Sequence, residues 1–248
     1  MPNLLFNKHT NKRGLIVYGG EASSDYGIVV SEAPSFDKPQ RQSTVFNVPG
    51  RNGSVLFQDN AFNDVTRSYK AYILDYDRED LVEAVNAFTG MLYSKRGYQR
   101  LEDSFEPDTF RLAYFNGGQN ITNDMMQAGE TTISFTCRPE RFLKDGEKEI
   151  EIQNGDVLHN YTRFDAKPLI YIEGSDSVEI SIQGESITAE IDEYIYIDCE
   201  RMNAYRTAAE NMNNAISGVF PSIKPGTNGI AITGTVTKVT IIPRYFTI

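Results

Sequence analysis

Residues 132–137 have the sequence TISFTC, in which apolar and small polar side chains alternate without interruption. In an extended strand, Ile133, Phe135 and Cys137 point to one side and the intervening Thr and Ser side chains point to the other, because successive side chains alternate between the two faces. Such alternation is typical of an antiparallel strand with one buried and one solvated face. The stretch therefore predicts β structure.

Short apolar segments separated by turn residues continue this pattern on both sides. The predicted strands are residues 28–30, 44–48, 55–57, 69–76, 150–152, 169–172, 178–182, 194–198, 230–233 and 239–242. Gly, Asn and Pro clusters between them are typical of a β-sandwich. Residues 203–216 combine helix-favouring Ala with helix-disfavouring Asn, and we assign them to a loop or short helix.

One segment, residues 78–94, departs from the β pattern. Its apolar residues Leu81, Val85, Phe88 and Leu92 recur at spacings of four, three and four, which places them on one face of an α-helix. Acidic residues near its start and basic residues after its end suit the helix dipole. We predict a helix that packs on a sheet through this apolar stripe.

The strand pattern is interrupted near Pro139, and the charge balance changes just beyond it. Residues 1–143 carry 15 Lys and Arg against 18 Asp and Glu, whereas residues 144–248 carry 9 against 16. We therefore place a domain boundary here. The prediction is two β-sandwich domains, residues 1–143 with the helix and residues 144–248 without one.

The composition of the 248-residue chain excludes several classes of function. With 24 Lys and Arg against 34 Asp and Glu the formal net charge is −10, and without a basic cluster we expect no specific nucleic-acid binding. No apolar run is long enough for a membrane span or a secretion signal, so we expect no membrane insertion. Cys137 and Cys199 lack zinc-site spacing, and we expect both to be buried and reduced.

Residues able to carry catalysis are few. The two histidines lie in different predicted domains and form neither a metal pair nor a Cys/His dyad, so we expect no metal and no cofactor. Asp198 and Glu200, like Asp75 and Asp77, are two positions apart and would share a strand face, as a hydrolytic carboxylate pair could. Among 34 acidic residues such spacings arise by chance. We assign no catalytic residue and expect no enzyme.

Two glycine-rich turns are prominent in the sequence. The first consists of Pro49, Gly50, Arg51, Asn52 and Gly53. It lies between two predicted strands, and Asn52 and Gly53 tolerate the positive φ angles of a hairpin turn. The second, residues 220–229, precedes the predicted strand at 230–233. Turn chemistry alone accounts for both.

These turns and their surroundings resemble the distal tail (Dit) proteins of siphophages, the long-tailed, non-contractile phages, that infect Gram-positive bacteria. In the first half the matching residues are Asp25, Gly27, Ile28, Val30, Pro39, the turn at 48–53, and the F-x-C-x-P segment of Phe135, Cys137 and Pro139 with Phe142. In the second half they are Asn154, Gly155, Pro168, Ile170, Ile172, Gly174, Ile197, Asp198, Glu200, Gly218, Phe220, Pro221, Pro225, Gly226, Asn228, Ile230, Gly234, Ile242, Pro243 and Arg244. One departure is that the helix ends in Met91, Leu92 and Tyr93, where relatives often have Trp.

The resemblance implies a fold and a structural function. The first domain would form a homo-hexameric ring around a channel, and the second would be a galectin-like β-sandwich similar to carbohydrate-binding modules. The ring would join the tail tube protein to the tail-associated lysin or tail-fibre hub, bind receptor-binding proteins at its periphery, and let the tape-measure protein and DNA pass. The protein would be assembled in the host bacterial cytoplasm and located at the virion tail tip.

Two sets of residues are candidate sites. We expect the hairpin turn at residues 49–53 to contact a neighbouring subunit, because protruding hairpins are suitable material for ring contacts. The alternative function is a carbohydrate-binding adhesion module that recognises host cell-wall sugars. Its stacking candidates are Tyr161, Phe164, Tyr171, Tyr194 and Tyr196. We also expect acidic residues to line the channel, although residues 1–143 carry a net charge of only −3.

Overall fold

The computed structural model describes residues 14–35, 37–73, 78–117 and 130–248. The chain divides into two compact units: unit 1 is Met1–Arg141 with Ile248, and unit 2 is Phe142–Thr247. The described residues are mainly β-strand with one α-helix. This confirms the mainly β fold class that the sequence predicts.

Unit 1 is built on one sheet with the strand order β2-β1-β7-β8-β9-β6-β3, and β4 and β5 form a separate two-stranded sheet. Its strands are β1 (Ile16–Tyr18), β2 (Glu21–Ala22), β3 (Ile28–Val30), β4 (Arg41–Phe46), β5 (Val55–Phe62), β6 (Val65–Ile73), β7 (Gln99–Asp103), β8 (Thr109–Tyr114) and β9 (Glu130–Leu143). The last strand, β9, extends into the first residues of unit 2. A one-turn 3₁₀ helix, Ser23–Tyr26, precedes β3.

The alternating stretch at residues 132–137 lies in β9. Its apolar residues Ile133, Phe135 and Cys137 are at most 1% exposed, whereas the Thr and Ser residues between them are partly exposed. The strand pairs antiparallel with β6, with Phe135 opposite Arg67. The predicted half-buried antiparallel strand is therefore confirmed.

The predicted helix is α1, Arg78–Ser94. Phe88, Met91 and Leu92 are buried and pack into the core of unit 1 together with Phe135 of β9. Leu81 lies outside the residues whose side chains the structure describes. The single apolar stripe thus attaches the helix to the sheet, with Met91 and Leu92 filling the space beneath its last turns.

Unit 2 has the strand order β10-β17-β12-β13-β14-β15, with β11 paired to β17 and β16 paired to β13. Its strands are β10 (Ile150–Glu151), β11 (Val157–Asn160), β12 (Leu169–Ile182), β13 (Glu185–Asp198), β14 (Asn203–Thr207), β15 (Glu210–Asn211), β16 (Ile216–Gly218), β17 (Gly226–Ile242) and β18 (Phe246–Thr247). One-turn 3₁₀ helices occur at Lys144–Glu147 and Asn213–Ala215. Residues 203–216 are thus two short strands and a 3₁₀ turn rather than an α-helix.

Two pairs of predicted strands are continuous in the structure. Strand β12 unites residues 169–172 with 178–182, and β17 unites 230–233 with 239–242. Strand β12 pairs with β13 from Leu169 opposite Asp198 to Ile182 opposite Glu185, whereas its register with β17 shifts at residues 173–179. The Gly and Ser residues between the predicted strands therefore form a β-bulge instead of a turn.

The core of unit 2 is dominated by isoleucine. Its buried isoleucines are Ile152, Ile170, Ile172, Ile180, Ile182, Ile187, Ile191, Ile195, Ile197, Ile223, Ile230, Ile232 and Ile241. Branching at Cβ favours the extended backbone and packs well on a pleated surface, so this composition suits the long strands that bear it. Among the described residues of the whole chain, no helix has both the length and the apolar character needed to cross a membrane.

Candidate functional surfaces

The hairpin formed by β4 and β5 is exposed along its length. Thr44 lies opposite Phe57, Val45 opposite Leu56, and Phe46 opposite Val55, and every residue of β4 is exposed to solvent. Within the described residues, these two strands pair with each other and with no further strand. A two-stranded hairpin alone is at best marginally stable in water, so this one would gain stability from a partner surface.

The tip of the hairpin contains the predicted contact turn, residues 49–53. All five residues are exposed, and the turn is closed by hydrogen bonds from Arg51 N to Val48 O at 3.2 Å and from Ser54 Oγ to Asn47 Oδ1 at 2.6 Å. The positive φ angles fall on Gly50 and Gly53, both at +81°. Asn52, predicted to share this role, does not adopt a positive φ. The segment is a hairpin turn as predicted, but Gly50, and not Asn52, adopts the left-handed conformation together with Gly53.

The strands of the hairpin expose a set of apolar side chains that sequence reasoning missed. This hairpin patch consists of Val45, Phe46, Val48, Leu56 and Phe57, exposed by 57%, 53%, 45%, 53% and 60%. The register places Phe46 and Phe57 on one face, where their rings meet edge-on at 5.6 Å between centroids. Val45 and Leu56 lie on the other face. Apolar residues at successive positions of a strand ordinarily predict that both of its faces are buried. The sequence therefore gives no sign that both faces of this hairpin are exposed.

A second surface lies on unit 2, where four tyrosines form a contiguous group on one face of β12, β13 and β14. This tyrosine platform consists of Tyr171, Tyr194, Tyr196 and Tyr205. Tyr196 and Tyr205 are stacked at 5.4 Å with 14° between their planes, and Tyr171 lies 5.0 Å from Tyr196 and 5.9 Å from Tyr194. All four are partly exposed.

Three of the five sugar-stacking candidates are thus brought together by the sheet. The alternation rule places Tyr194 and Tyr196 on one face of β13, and the cross-strand register places Tyr171 directly opposite Tyr196. Tyr205 was missed because residues 203–216 were assigned to a loop or helix. It lies opposite Tyr196 across the β13–β14 pair.

The remaining two candidates lie away from the platform. Tyr161 is 85% exposed and contacts the ring of His159 at 4.3 Å. Phe164 stacks on Phe246 at 5.4 Å with 25° between the planes. A single five-residue stacking site is therefore not formed, because these two residues contact other partners.

Polar groups border the tyrosine platform. Tyr171 donates a hydrogen bond to Glu173 Oε2 at 3.3 Å, and the Arg206 guanidinium carbon lies 5.8 Å from the centre of the Tyr194 ring. Burial raises the pKa of the Tyr171 hydroxyl, and Glu173 raises this pKa further. Burial likewise raises the pKa of Tyr205. Both hydroxyls are therefore protonated at neutral pH, and the single proton of the Tyr171 hydroxyl is donated to Glu173.

Asp198, one of the two carboxylates considered for hydrolysis, is held by hydrogen bonds that belong to the fold. Asp198 is 2% exposed, and its Oδ1 accepts hydrogen bonds from the backbone N–H groups of Glu200 and Arg201, each at 3.1 Å. Burial by itself would raise the pKa of Asp198, but hydrogen bonds from Arg244 and from these backbone groups outweigh it and leave the pKa lowered. A lowered pKa is opposite to what a general acid in glycoside hydrolysis requires. Asp75 and Asp77 lie outside the described residues.

The described part of the chain shows the arrangement of metal-ligating residues and the state of the two thiols. There, no group of three or more His, Cys, Asp or Glu residues is arranged to hold a metal ion. Cys137 and Cys199 are free and buried, and burial is the main cause that raises their thiol pKa values to about 11 and about 12. The prediction that both cysteines are buried core residues is confirmed.

Comparison with known proteins first defines the class. Residues 23–137 match the sequence model of the family described as phage tail protein RIFT-related domain. This segment, which makes up most of unit 1, is thus similar in sequence to a phage tail domain. No curated protein sequence matches the chain.

Comparison with solved structures extends the likeness to both units. The crystal structure of the SPP1 Dit protein, described as a paradigm of the hub adsorption apparatus in phages infecting Gram-positive bacteria, matches with a TM-score of 0.74 and 14% identity. The match covers 93% of this chain and 98% of that one. A chain of the phage P2 baseplate in its activated conformation with Ca matches with a TM-score of 0.54 and 10% identity, over 93% and 97% of the two chains. The match of residues 23–137 to a phage tail family model and the fold shared with the SPP1 Dit structure agree with the predicted resemblance to distal tail proteins.

Proposed function

We propose that this chain is a structural subunit of a siphophage tail tip, where it forms the hub that joins the tail tube to the tail-associated lysin or tail-fibre hub. The observation that carries the proposal is the similarity to SPP1 Dit, which extends over nearly all of both chains. Likeness in both units supports a shared task better than likeness in one module would. The phage tail domain at residues 23–137 supports the same function.

In this proposal six copies close into a ring, and the hairpin patch supplies part of each subunit contact. A ring needs heterologous contacts, in which one surface of each subunit binds a different surface of the next. The hairpin offers apolar side chains on both faces and unpaired strand edges, and a neighbouring subunit would cover both. The contact that we predicted for the turn at 49–53 is thereby extended to Phe46 and Phe57, which are more apolar than the turn itself.

The partners follow from the same proposal. One side of the ring would bind the tail tube protein, the other the tail-associated lysin or tail-fibre hub, and the periphery would bind receptor-binding proteins. The tape-measure protein and then DNA would pass through the channel without specific nucleic-acid binding. Assembly would take place in the host cytoplasm and the mature protein would lie at the virion tail tip.

An acidic channel lining remains part of this proposal, because negative charge would prevent passing DNA from adhering to the wall. Residues 1–143 carry a net charge of only −3. The expectation therefore depends on which side chains face the channel, and a lumen rich in Lys and Arg would contradict it.

We propose no catalytic activity for this protein. Its similar proteins are structural components of phage tails and baseplates. Asp198 is engaged by Arg244 at 2.7 and 3.2 Å, an arrangement that favours an ionised structural carboxylate over a proton donor. Release of fragments from host peptidoglycan by the purified chain, lost on Asp198→Asn substitution, would overturn this part of the proposal.

The hub function is tested by size-exclusion chromatography with light scattering, followed by negative-stain imaging of the purified full-length chain. We expect a closed ring whose mass is a multiple of that of the 27.9 kDa chain. Because a ring can depend on its neighbours, the same measurement is repeated with purified tail tube protein of the same phage. A chain that stays monomeric alone and forms no complex with the tube protein would contradict the hub function.

A further inference from the structure

We propose that Asn52 is a site of spontaneous deamidation in the unassembled subunit, where the backbone nitrogen of Gly53 attacks the Asn52 side chain. Asparagine followed by glycine favours this reaction, because glycine has no side chain to obstruct its own nitrogen. The chain contains four such pairs, at 52–53, 116–117, 154–155 and 228–229. The pair at 116–117 borders residues outside the described ranges. Among the other three pairs, the structure sets Asn52 apart.

The reaction needs water as its only co-reactant. The Gly53 nitrogen forms a bond to Cγ of Asn52, the bond between Cγ and Nδ2 breaks, and Nδ2 leaves as ammonia with the proton from Gly53. Because the reacting groups belong to adjacent residues, this step is intramolecular and yields a cyclic imide. Water then opens the imide at either carbonyl carbon, which gives aspartate or isoaspartate. Both products place a carboxylate where the neutral amide was, and isoaspartate also lengthens the backbone.

The reacting groups of Asn52 and Gly53 are not held by hydrogen bonds. Both residues are exposed, and within the described residues neither the Asn52 side chain nor the Gly53 backbone nitrogen has a hydrogen-bond partner. The hydrogen bonds that close the turn come instead from Arg51 N and Ser54 Oγ. A Cβ at Gly53 would meet nothing within 4 Å. Cγ of Asn52 can therefore approach the attacking nitrogen without breaking a hydrogen bond.

The second pair, Asn154 and Gly155, is exposed but held at both reacting groups. Asn154 Oδ1 accepts a hydrogen bond from Ile232 N at 3.0 Å, and Gly155 N donates to Ile230 O at 3.0 Å. A Cβ at Gly155 would also meet nothing within 4 Å, so free space does not distinguish this pair from the hairpin tip. Hydrogen bonding does, because both bonds must open before the imide can form.

The third pair, Asn228 and Gly229, is held and buried. Asn228 is 0% exposed, and its side chain accepts from Lys224 N at 2.9 Å and donates to Lys224 O at 2.7 Å and Gly226 O at 3.0 Å. Imide formation here would break these hydrogen bonds and bring water to a buried position. This pair should react only when the surrounding structure opens.

The position of Asn52 connects the reaction to assembly, and this step rests on the proposed ring contact. Arg51 is the only charged residue of the turn at 49–53, so a carboxylate at position 52 cancels the formal charge of the turn. In a closed ring the neighbouring subunit would cover the turn and slow imide formation. Deamidation would therefore accumulate in subunits that stay unassembled and would reduce their ability to join a ring.

The test is peptide mass spectrometry of the monomeric full-length protein after incubation at pH 8. If the wild type elutes only as a ring, the Phe46→Glu, Phe57→Glu double variant supplies the monomer. We expect Asn52 to convert to aspartate and isoaspartate at least about tenfold faster than Asn154 and Asn228, because the latter two need local opening first. Labelling with an isoaspartyl methyltransferase identifies the isoaspartate product.

Asn154 and Asn228 are matched controls, because each has the same dipeptide sequence and is measured in the same digest. In urea-unfolded protein the three sites should convert at similar rates, which would show that the fold causes the difference. Asn52→Gln is the variant control. Its longer side chain forms a cyclic imide more slowly, so conversion at position 52 should be lost while the turn keeps its amide.

Conversion of Asn52 no faster than that of Asn154 or Asn228 in the folded monomer would overturn the proposal. Its effect on assembly is measured by native mass spectrometry of incubated wild type and incubated Asn52→Gln, and we expect the smaller ring fraction in the wild type. Equal ring fractions despite rapid conversion would overturn this effect. A ring formed by neither protein, even before incubation, would contradict the hub contact, whereas the deamidation rates would still report on the site itself.

Discussion

Arg244 and Asp198 lie 46 positions apart in the chain and form a two-point ion pair, with Nη1–Oδ1 and Nη2–Oδ2 distances of 2.7 and 3.2 Å. Asp198 is the last residue of β13, and Arg244 follows β17. The same carboxylate caps the turn after β13 through the backbone N–H groups of Glu200 and Arg201. The ion pair therefore connects the end of β13 to the segment that follows β17.

Removal of the cation from this pair should destabilise unit 2. Arg244→Ala leaves the nearly buried carboxylate with only Arg201, whose side chain is 78% exposed and lies 4.0 Å away, as a cation partner, and we expect a loss of about 2–4 kcal/mol in the free energy of unfolding. Lys148→Ala is the control, because Lys148 pairs with Asp145 where both side chains are more than 70% exposed, and its loss should stay below about 0.5 kcal/mol. Urea denaturation followed by circular dichroism measures both, and equal effects would contradict the structural role of Arg244.

The same pair predicts a dependence of stability on pH. Because the folded-state pKa of Asp198 is lowered, the ionised carboxylate stabilises the fold above its unfolded pKa of about 3.9. That contribution is lost as the pH falls through the lower, folded-state pKa. The stability difference between wild type and Asp198→Asn should thus be constant above about pH 5 and shrink below about pH 4. A difference that is unchanged down to pH 2 would contradict this assignment.

Gly234 occupies a position that only glycine fits. Its φ is +106°, and a Cβ there would lie 2.4 Å from the backbone oxygen of Ser177. We expect Gly234→Ala to lower the free energy of unfolding by about 1–3 kcal/mol, because both backbone strain and a backbone clash oppose the methyl group. Gly229→Ala is the control on the same strand, since a Cβ there meets nothing within 4 Å. Comparable melting temperatures for the two variants would show that β12 and β17 can separate at the bulge.

This bulge also shows where prediction from sequence reached its limit in unit 2. Alternating apolar residues located β12, β13 and β17, but Gly174 and its neighbours have the composition of a turn. Only the pairing of β12 with β13 along its whole length makes the segment a strand. Local composition cannot report such pairing. The segment 220–229, predicted as a turn, is one only in part, because β17 begins at Gly226 and its residues 226–229 pair with β11. Asn228 still donates to the backbone oxygens of Lys224 and Gly226.

The two candidate surfaces could be predicted to different degrees. Sequence spacing determines which face of a strand a residue occupies, but not what covers that face. Period-two spacing places Tyr194 and Tyr196 on one face, and this holds whatever the neighbouring strands are. Phe46 and Phe57 could not be assigned to solvent, because an apolar strand residue ordinarily faces a core. Their exposure follows from unit 1 having its own core without them.

The hairpin patch predicts which substitutions separate folding from assembly. Phe46→Glu combined with Phe57→Glu should leave the circular dichroism spectrum unchanged, since both side chains are exposed, and should shift the ring toward monomer in native mass spectrometry. Arg51→Glu combined with Asn52→Asp tests the turn separately and should weaken the ring less. Val157→Glu, at an equally exposed apolar position of unit 2, should leave the ring intact. A ring that survives both hairpin variants would remove the hairpin from the subunit contact.

The two cysteines provide a probe of each unit. Cys137 lies in unit 1 and Cys199 in unit 2, with exposures of 0% and 3%. Burial raises their thiol pKa values to about 11 and about 12, so little thiolate is present at pH 8 and a thiol reagent has no access. We expect neither cysteine to react with Ellman's reagent at pH 8 in the absence of denaturant. Rapid modification of either under those conditions would contradict its burial.

Labelling in urea then tests our proposal that residues 1–143 and 144–248 are separate folding domains. In the single-cysteine variants Cys137→Ala and Cys199→Ala, each remaining thiol becomes reactive only when its own unit opens. We expect two different urea midpoints. Gly234→Ala should lower the midpoint for Cys199 and leave that for Cys137 unchanged, because the substitution lies within unit 2. If Gly234→Ala lowered both midpoints equally, the two units would unfold as one cooperative body. The boundary near residue 143 would then not separate two folding domains.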